Sequence, residues 1–200
     1  MMYIRADRLD FDPRPQMARI FADGFYQWLK YFSEDKDKLG KAFEHIFNLR
    51  YFFVAIENGE ILAQVSCADD SITSVSFEPR FLRTELGLVY GTIAYIMLKR
   101  NIIDRKYPFK LPANTGVIEL VATYPSHQGK GIAHDLLAHV MDNTRYDDYV
   151  LEVADTNAAA LRLCKKLGFN EFKRTAGPGR RGGFDYYLYM RKIKSLSVRV

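Results

Sequence analysis

An α/β domain, with a mixed β-sheet flanked by helices, is what this sequence predicts, on three observations. The chain has 200 residues, which suits one domain with a sizeable core, because two halves would each bury little surface. Hydrophobic residues make up 48% of it and charged residues 26%. These ordinary globular values exclude a disordered chain and a disulfide-built mini-protein. Beyond Thr115 strands and helices alternate regularly, the pattern of a sheet with helices packed on it.

Met2 to Arg5 reads as a short strand. Pro13 and Pro15 suit the first turn of a helix running to about Phe32. Within it Phe21, Phe25, Trp28, Leu29 and Phe32 recur at helical spacing on one face. Ser33 is the expected N-cap of a second helix, apolar along Leu39, Phe43, Ile46 and Phe47. Tyr51 to Ile56 and Ile61 to Cys67 read as strands joined by Asn58-Gly59, a pair that accepts the positive φ angles of a two-residue hairpin turn.

From Ala68 to Asn114 the pattern changes, and this segment reads as an insertion. Its apolar stripe, from Phe81 through Leu86, Val89 and Ile93 to Met97, predicts a helix. Gly87 and Gly91 are spaced for close contact with another helix, in this chain or in a second copy forming a homodimer. The longest uncharged run, Leu86 to Leu98, is 13 residues. A bilayer span needs about 20, so no membrane partner is expected.

The regular alternation then gives a strand at Gly116 to Thr123, a helix from about Gly129 to Asn143, a strand at Tyr149 to Val153 and a helix from Asn157 to Leu167. Two further strands, Phe169 to Arg174 and Phe184 to Met190, flank a basic glycine loop, Thr175 to Gly183. Gly177 to Gly182 spells GxGxxG but opens no helix, so a dinucleotide reading lacks its context.

The net charge of +5 is unevenly placed: residues 173–200 hold eight Lys or Arg against Asp185, so +7 lies there and −2 in the first 172. A charge run of this kind usually marks a solvated face. No nucleic-acid motif accompanies it, so no nucleic-acid partner is expected. Met1 to Asp12 is too charged for a signal peptide, and Cys67 and Cys164 have no CxxC spacing, which favours a reducing cytoplasm. The four histidines lack metal-site spacing, so no metal is expected.

The informative segment is Val117 to Ala133, VIELVATYPSHQGKGIA. An apolar strand runs through a Pro turn into Gln128-Gly129-Lys130-Gly131-Ile132-Ala133, where glycines leave the backbone unobstructed as a helix begins. Free amides and a partial positive charge at a helix start favour a bound pyrophosphate, and Lys130 adds a cation.

Q-x-x-G-x-A after such a strand resembles the pyrophosphate loop of the GNAT superfamily of N-acetyltransferases. Asn157 to Phe169, NAAALRLCKKLGF, resembles that family's second signature, an Asn opening a helix that ends in Leu-Gly-Phe. The resemblance is specific across about residues 115–191 and architectural for 1–67. It implies a mostly antiparallel sheet in one domain over 1–200, and it fails at about 68–114, where the family usually connects the third and fourth strands directly and this chain is expected to insert a helix. It further implies an N-acetyltransferase that moves the acetyl group of acetyl-CoA to a primary amine, of a small molecule or a peptide, by direct attack in a ternary complex.

By that resemblance Val121, Ala122 and Thr123 pair with the pantetheine arm, Gln128 to Ala133 hold the pyrophosphate, and Asn157 contacts the cofactor. Core packing of Val121 and simple helix capping by Asn157 are the other readings of those two residues. Strand alternation puts Glu119 on one face with Val117, Val121 and Thr123, and a carboxylate on so apolar a strand is costly to bury without a partner or purpose. Removing a proton from an ammonium substrate needs a base, the role the resemblance gives Glu119; an ion pair or recognition of substrate charge is the alternative. Cys164 stands where the family often has a Tyr that protonates the departing thiolate. A thiol of pKa about 8.5 can donate, but a free Cys is commonly a small buried apolar residue, and Tyr124, Tyr186, Tyr187 and water are alternatives. That departure also motivates a second reading, a non-catalytic acyl-CoA-binding or regulatory domain.

Overall fold

The computed structural model describes residues 1–69, 71–104, 106–179 and 182–194. Arg180, Arg181 and Arg199 of the basic C-terminal stretch lie outside them. Strands β1 (Met2–Arg5), β2 (Phe52–Glu57), β3 (Glu60–Ala68), β4 (Thr115–Thr123), β5 (Asp148–Ala154), β6 (Asn170–Gly179) and β7 (Phe184–Ile193) form one sheet in the order β1-β2-β3-β4-β5-β7-β6. Among the described residues only β4 and β5 pair in parallel, so the sheet is mixed and mostly antiparallel, as expected.

Among the described residues seven α-helices cover it: α1 (Arg14–Gly24), α2 (Tyr26–Leu29), α3 (Lys36–Phe43), α4 (Pro79–Leu86), α5 (Leu88–Leu98), α6 (Ile132–Asn143) and α7 (Ala158–Lys166). On one face Met17 and Phe21 of α1, Phe43 of α3 and Leu82 of α4 pack with Phe52 and Val54 of β2. On the other, Leu136, Leu137 and Val140 of α6 and Cys164 of α7 pack with Val65, Tyr149 and Leu151. Burying each such large apolar side chain contributes about 1.5–3 kcal/mol. Tyr149 donates from its hydroxyl to Met141 O at 3.0 Å, tying the end of α6 to β5.

Four expectations change. The first helix stops at Gly24, and α2 is a separate turn that begins after Phe25, whose φ of −110° is outside the helical range. Asp35, not Ser33, caps α3, accepting from the amides of Asp37 and Lys38 at 2.9 and 3.1 Å; Ser33 Oγ accepts from Asp35 N instead. The apolar stripe between β3 and β4 is two helices, because Gly87 at φ 83° ends α4 and starts α5. Gly91 is the close contact: a Cβ there would lie 2.6 Å from Arg83 Cα, so α5 packs on α4 within the chain. The glycine loop is also shorter than expected, since β6 continues to Gly179.

Candidate active site

The centre of the sheet opens where β4 passes Ile118. The parallel pairing to β5 runs from Thr115↔Asp148 to Ile118↔Leu151, and β4 then continues for five residues without that partner. A bulge causes the divergence. Ser66 faces Glu119 and Gln64 faces Ala122, so one residue of β3 opposes two of β4, and Leu120 takes φ 52°. A branched side chain at positive φ is strained, a condition that persists where the surrounding structure enforces it. Bulges bend strands and redirect side chains.

Glu119 keeps the face it was expected to share with Val117, but the bulge turns Val121 away from it. Glu119 and Leu120 both lie on the α1 side, with Val117 and Ala122, whereas Val121 packs on the α6 side. Tyr124 N donates to Leu62 O at 2.8 Å, so antiparallel alternation directs the polar groups of Ala122 at β3 and those of Val121 and Thr123 at the open edge. Gln128 Nε2 donates to Thr123 O at 3.2 Å and fastens the following loop across the strand end.

That loop leads into α6 through Gly129 at φ 75° and Gly131 at φ 85°. A Cβ at either position would have nothing within 4 Å, so both border open space. The first helical amide with a backbone acceptor is that of Asp135, bonded to Gly131 O at 3.1 Å. The earlier amides of Ile132, Ala133 and His134 lie beyond the helical ladder, available to an anion. Ile132 sends its side chain into the core, and Lys130 is exposed. Asn157 caps α7, its Oδ1 accepting from Ala160 N at 3.1 Å. Because β4 and β5 are parallel, Gln128 to Ala133 and Asn157 both follow the C-terminal ends of these two strands, on the side of the sheet where β4 has left β5.

Glu119 is half-buried in a cleft of about 70 Å³ between β4 and the β3–β4 connection. Tyr107, which no sequence pattern singled out, places its hydroxyl 3.4 Å from Glu119 Oε1. Ser66 Oγ donates to Glu119 O at 3.1 Å and holds the bulge. Cys164 is elsewhere. It is 2% exposed in the core on the α6 face, and burial pushes its thiol up to about 11. Cys67, equally interior, is pushed up to about 12. Tyr124 and Tyr186 are exposed, and Tyr187 is half-buried. Among the described residues no group of His, Cys, Asp or Glu is placed to hold a metal ion, and no helix is long and apolar enough to cross a membrane.

No curated protein matches the sequence. Solved structures do. The chain is similar to an N-acetyltransferase from Staphylococcus aureus, at 17% identity over 96% of this chain and 100% of that one, with a TM-score of 0.56. It is similar to PH1933 from Pyrococcus horikoshii, at 19% identity over 98% and 99%, with a TM-score of 0.60. The ribosomal-protein-S18-alanine N-acetyltransferase from Escherichia coli aligns at 16% identity over 100% and 97%, with a TM-score of 0.54. At these identities the shared property is the fold. The acetyltransferase (GNAT) family model matches residues 15–169, spanning the bulged strand, the glycine turn and the Asn-capped helix, and the chain belongs to that family.

Proposed function

We propose that this protein is an acetyl-CoA-dependent N-acetyltransferase acting on a primary amine by direct attack in a ternary complex. The observation that carries the reading is the opening between β4 and β5, which ends at the glycine-bordered start of α6. The open edge offers the polar groups of Val121 and the N–H of Thr123 to an extended amide-bearing arm. The amides from Gly129 to Ala133, with the Lys130 charge, suit a pyrophosphate, and the empty space at Gly129 and Gly131 leaves room for it. Asn157 spends only its oxygen on capping and keeps its Nδ2 donors for the same ligand. These residues fit acetyl-CoA, which when bound supplies an acetyl thioester that an uncharged amine can attack.

Glu119 is assigned as the base. It takes the proton that an ammonium substrate must lose before its nitrogen can form a bond to the acetyl carbon, directly or through a water in the cleft. Backbone N–H groups at the open edge of β4 stabilise charge developing on the carbonyl oxygen. Cys164 is assigned to packing. A buried thiol pushed up to about 11 would give its proton uphill to a thiolate whose parent thiol has a pKa of about 8.5. The chain need supply no acid for such a leaving group, which water reprotonates. Cys164→Ala should therefore change turnover only a few-fold and lower stability by about 1–2 kcal/mol through the small cavity it leaves. Steady-state kinetics beside thermal unfolding checks this. A turnover loss of about 100-fold with unchanged stability and cofactor affinity would return Cys164 to the mechanism.

The solved complex that aligns at 14% identity and a TM-score of 0.56, NatC bound to Gag peptide and CoA, supports a peptide amine as acceptor, alongside small-molecule amines. The two buried free thiols suit a reducing cytoplasm. Thermal unfolding with free CoA tests the binding half of the reading. CoA at about 100 times its Kd should stabilise the fold by about 2.7 kcal/mol, and no shift at millimolar CoA would refute it.

A further inference from the structure

We propose that Ser74, in the β3–β4 connection, selects the acceptor: its hydroxyl binds an oxygen that the acceptor carries on a short stem beside the reacting amine. The inference rests on the reading of Glu119 as the base, and it adds the chemistry of the substrate. Ser74 lines the same cleft as Glu119, together with Val75, Ile103, Tyr107 and Val117. The residue is 3% exposed, and its Oγ is buried without a hydrogen-bond partner among the described residues.

A buried hydroxyl with no partner is a net cost to the fold, so packing gives no reason for a serine rather than an alanine here. The position is also held rigidly. Asn48 N donates to Ser74 O at 3.0 Å, Ser76 N donates to Ile46 O at 2.9 Å, and Phe47 and Val75 form a β-bridge between the same two segments. Ser74 is thus fixed on a backbone that needs nothing from its side chain. Two other polar side chains of the cleft are engaged: Tyr107 bonds Glu119, and Asp69 Oδ1 accepts from the amide and hydroxyl of Ser71.

The size of the cleft limits what reaches Ser74. At about 70 Å³ the cleft suits a short stem better than a bulky one. Apolar walls of Val75, Ile103 and Val117 suit methylenes, and Ser74 can donate to or accept from the oxygen at their end. The substrate class is a primary amine that carries a hydroxyl or carbonyl oxygen on a short stem.

Ethanolamine and propylamine are matched probes, differing by OH for CH3. With acetyl-CoA in excess, the parent protein should show a kcat/KM for ethanolamine at least about tenfold above that for propylamine, because a site built to bond a hydroxyl rejects an analogue that lacks one. In Ser74→Ala the ratio should fall to about one, with thermal stability unchanged or raised, since an unpaired buried polar group has been removed. A parental ratio of one or less, an unchanged ratio in Ser74→Ala, or a loss of thermal stability in that variant would overturn the inference. Should Ser74→Ala fail to fold, the hydroxyl is structural and the inference falls; where it folds, Ser74→Thr, which keeps the hydroxyl, should retain the ratio, and its loss there would overturn the inference as well. Silence with both probes while other amines react sinks this inference alone. Silence across a broad amine panel removes the acetyl-transfer reading as well.

Discussion

Gly131→Glu is expected to cut acetyl-CoA affinity by at least about 100-fold, equivalent to about 2.7 kcal/mol, while the fold persists. Gly131 sits at φ 85° before the first turn of α6, and a Cβ there would meet nothing within 4 Å. The new side chain therefore enters open space, in which the pyrophosphate is proposed to lie, and its carboxylate takes the free amides for itself. The left-handed backbone also penalises any side chain by about 1–2 kcal/mol. Gly131→Ala carries that strain without the charge and should keep most of the affinity. Calorimetric titration of both variants separates the two effects. A Gly131→Glu protein that binds acetyl-CoA like the parent would move the pyrophosphate site away from α6.

Glu119→Gln should lower turnover by about 100-fold near neutral pH, the range expected for loss of a general base, with acetyl-CoA binding intact. The substitution keeps the size of the side chain and an oxygen that can accept from Tyr107, whose hydroxyl lies 3.4 Å from Glu119 Oε1. Only basicity is removed. As pH rises the amine loses its proton to solvent without help, so activity should partly recover on the alkaline side, where the parent has less to gain. Parental turnover with a parental pH profile would remove Glu119 from proton transfer. A change confined to the apparent affinity for the amine would instead make Glu119 the group that holds the substrate's positive charge.

The parts of this site written in local chemistry were legible in the sequence. Asn58-Gly59 announces its hairpin because few residue pairs accept φ 52° and 80° in succession. Gly129 and Gly131 announce the turn into α6 for the same reason, and Asn157 announces the start of α7 through its capping oxygen. The facing of the strand beyond Glu119 was not legible. Leucine carries no local preference for the φ of 52° that Leu120 adopts; the register with β3 imposes it, and that register is a long-range property. Simple alternation therefore put Val121 and Thr123 on the wrong face. The break after Gly24 and the displacement of the α3 cap from Ser33 to Asp35 have a similar origin, because several nearby residues could serve each role and tertiary packing chooses among them. Ser74 and Tyr107 sit in irregular backbone without periodicity, so only the folded β3–β4 connection brings them to Glu119.

Mass spectrometry of the protein and of the small molecules, after incubation with acetyl-CoA and an amine panel, tests direct acetyl transfer most plainly. The account predicts acetylated amine and free CoA in equal amounts, protein of unchanged mass, and intact acetyl-CoA when no amine is present. Acetyl-CoA that binds but survives with every amine would contradict it and leave an acyl-CoA-binding domain without catalysis; acetylated protein as an intermediate would contradict the direct attack.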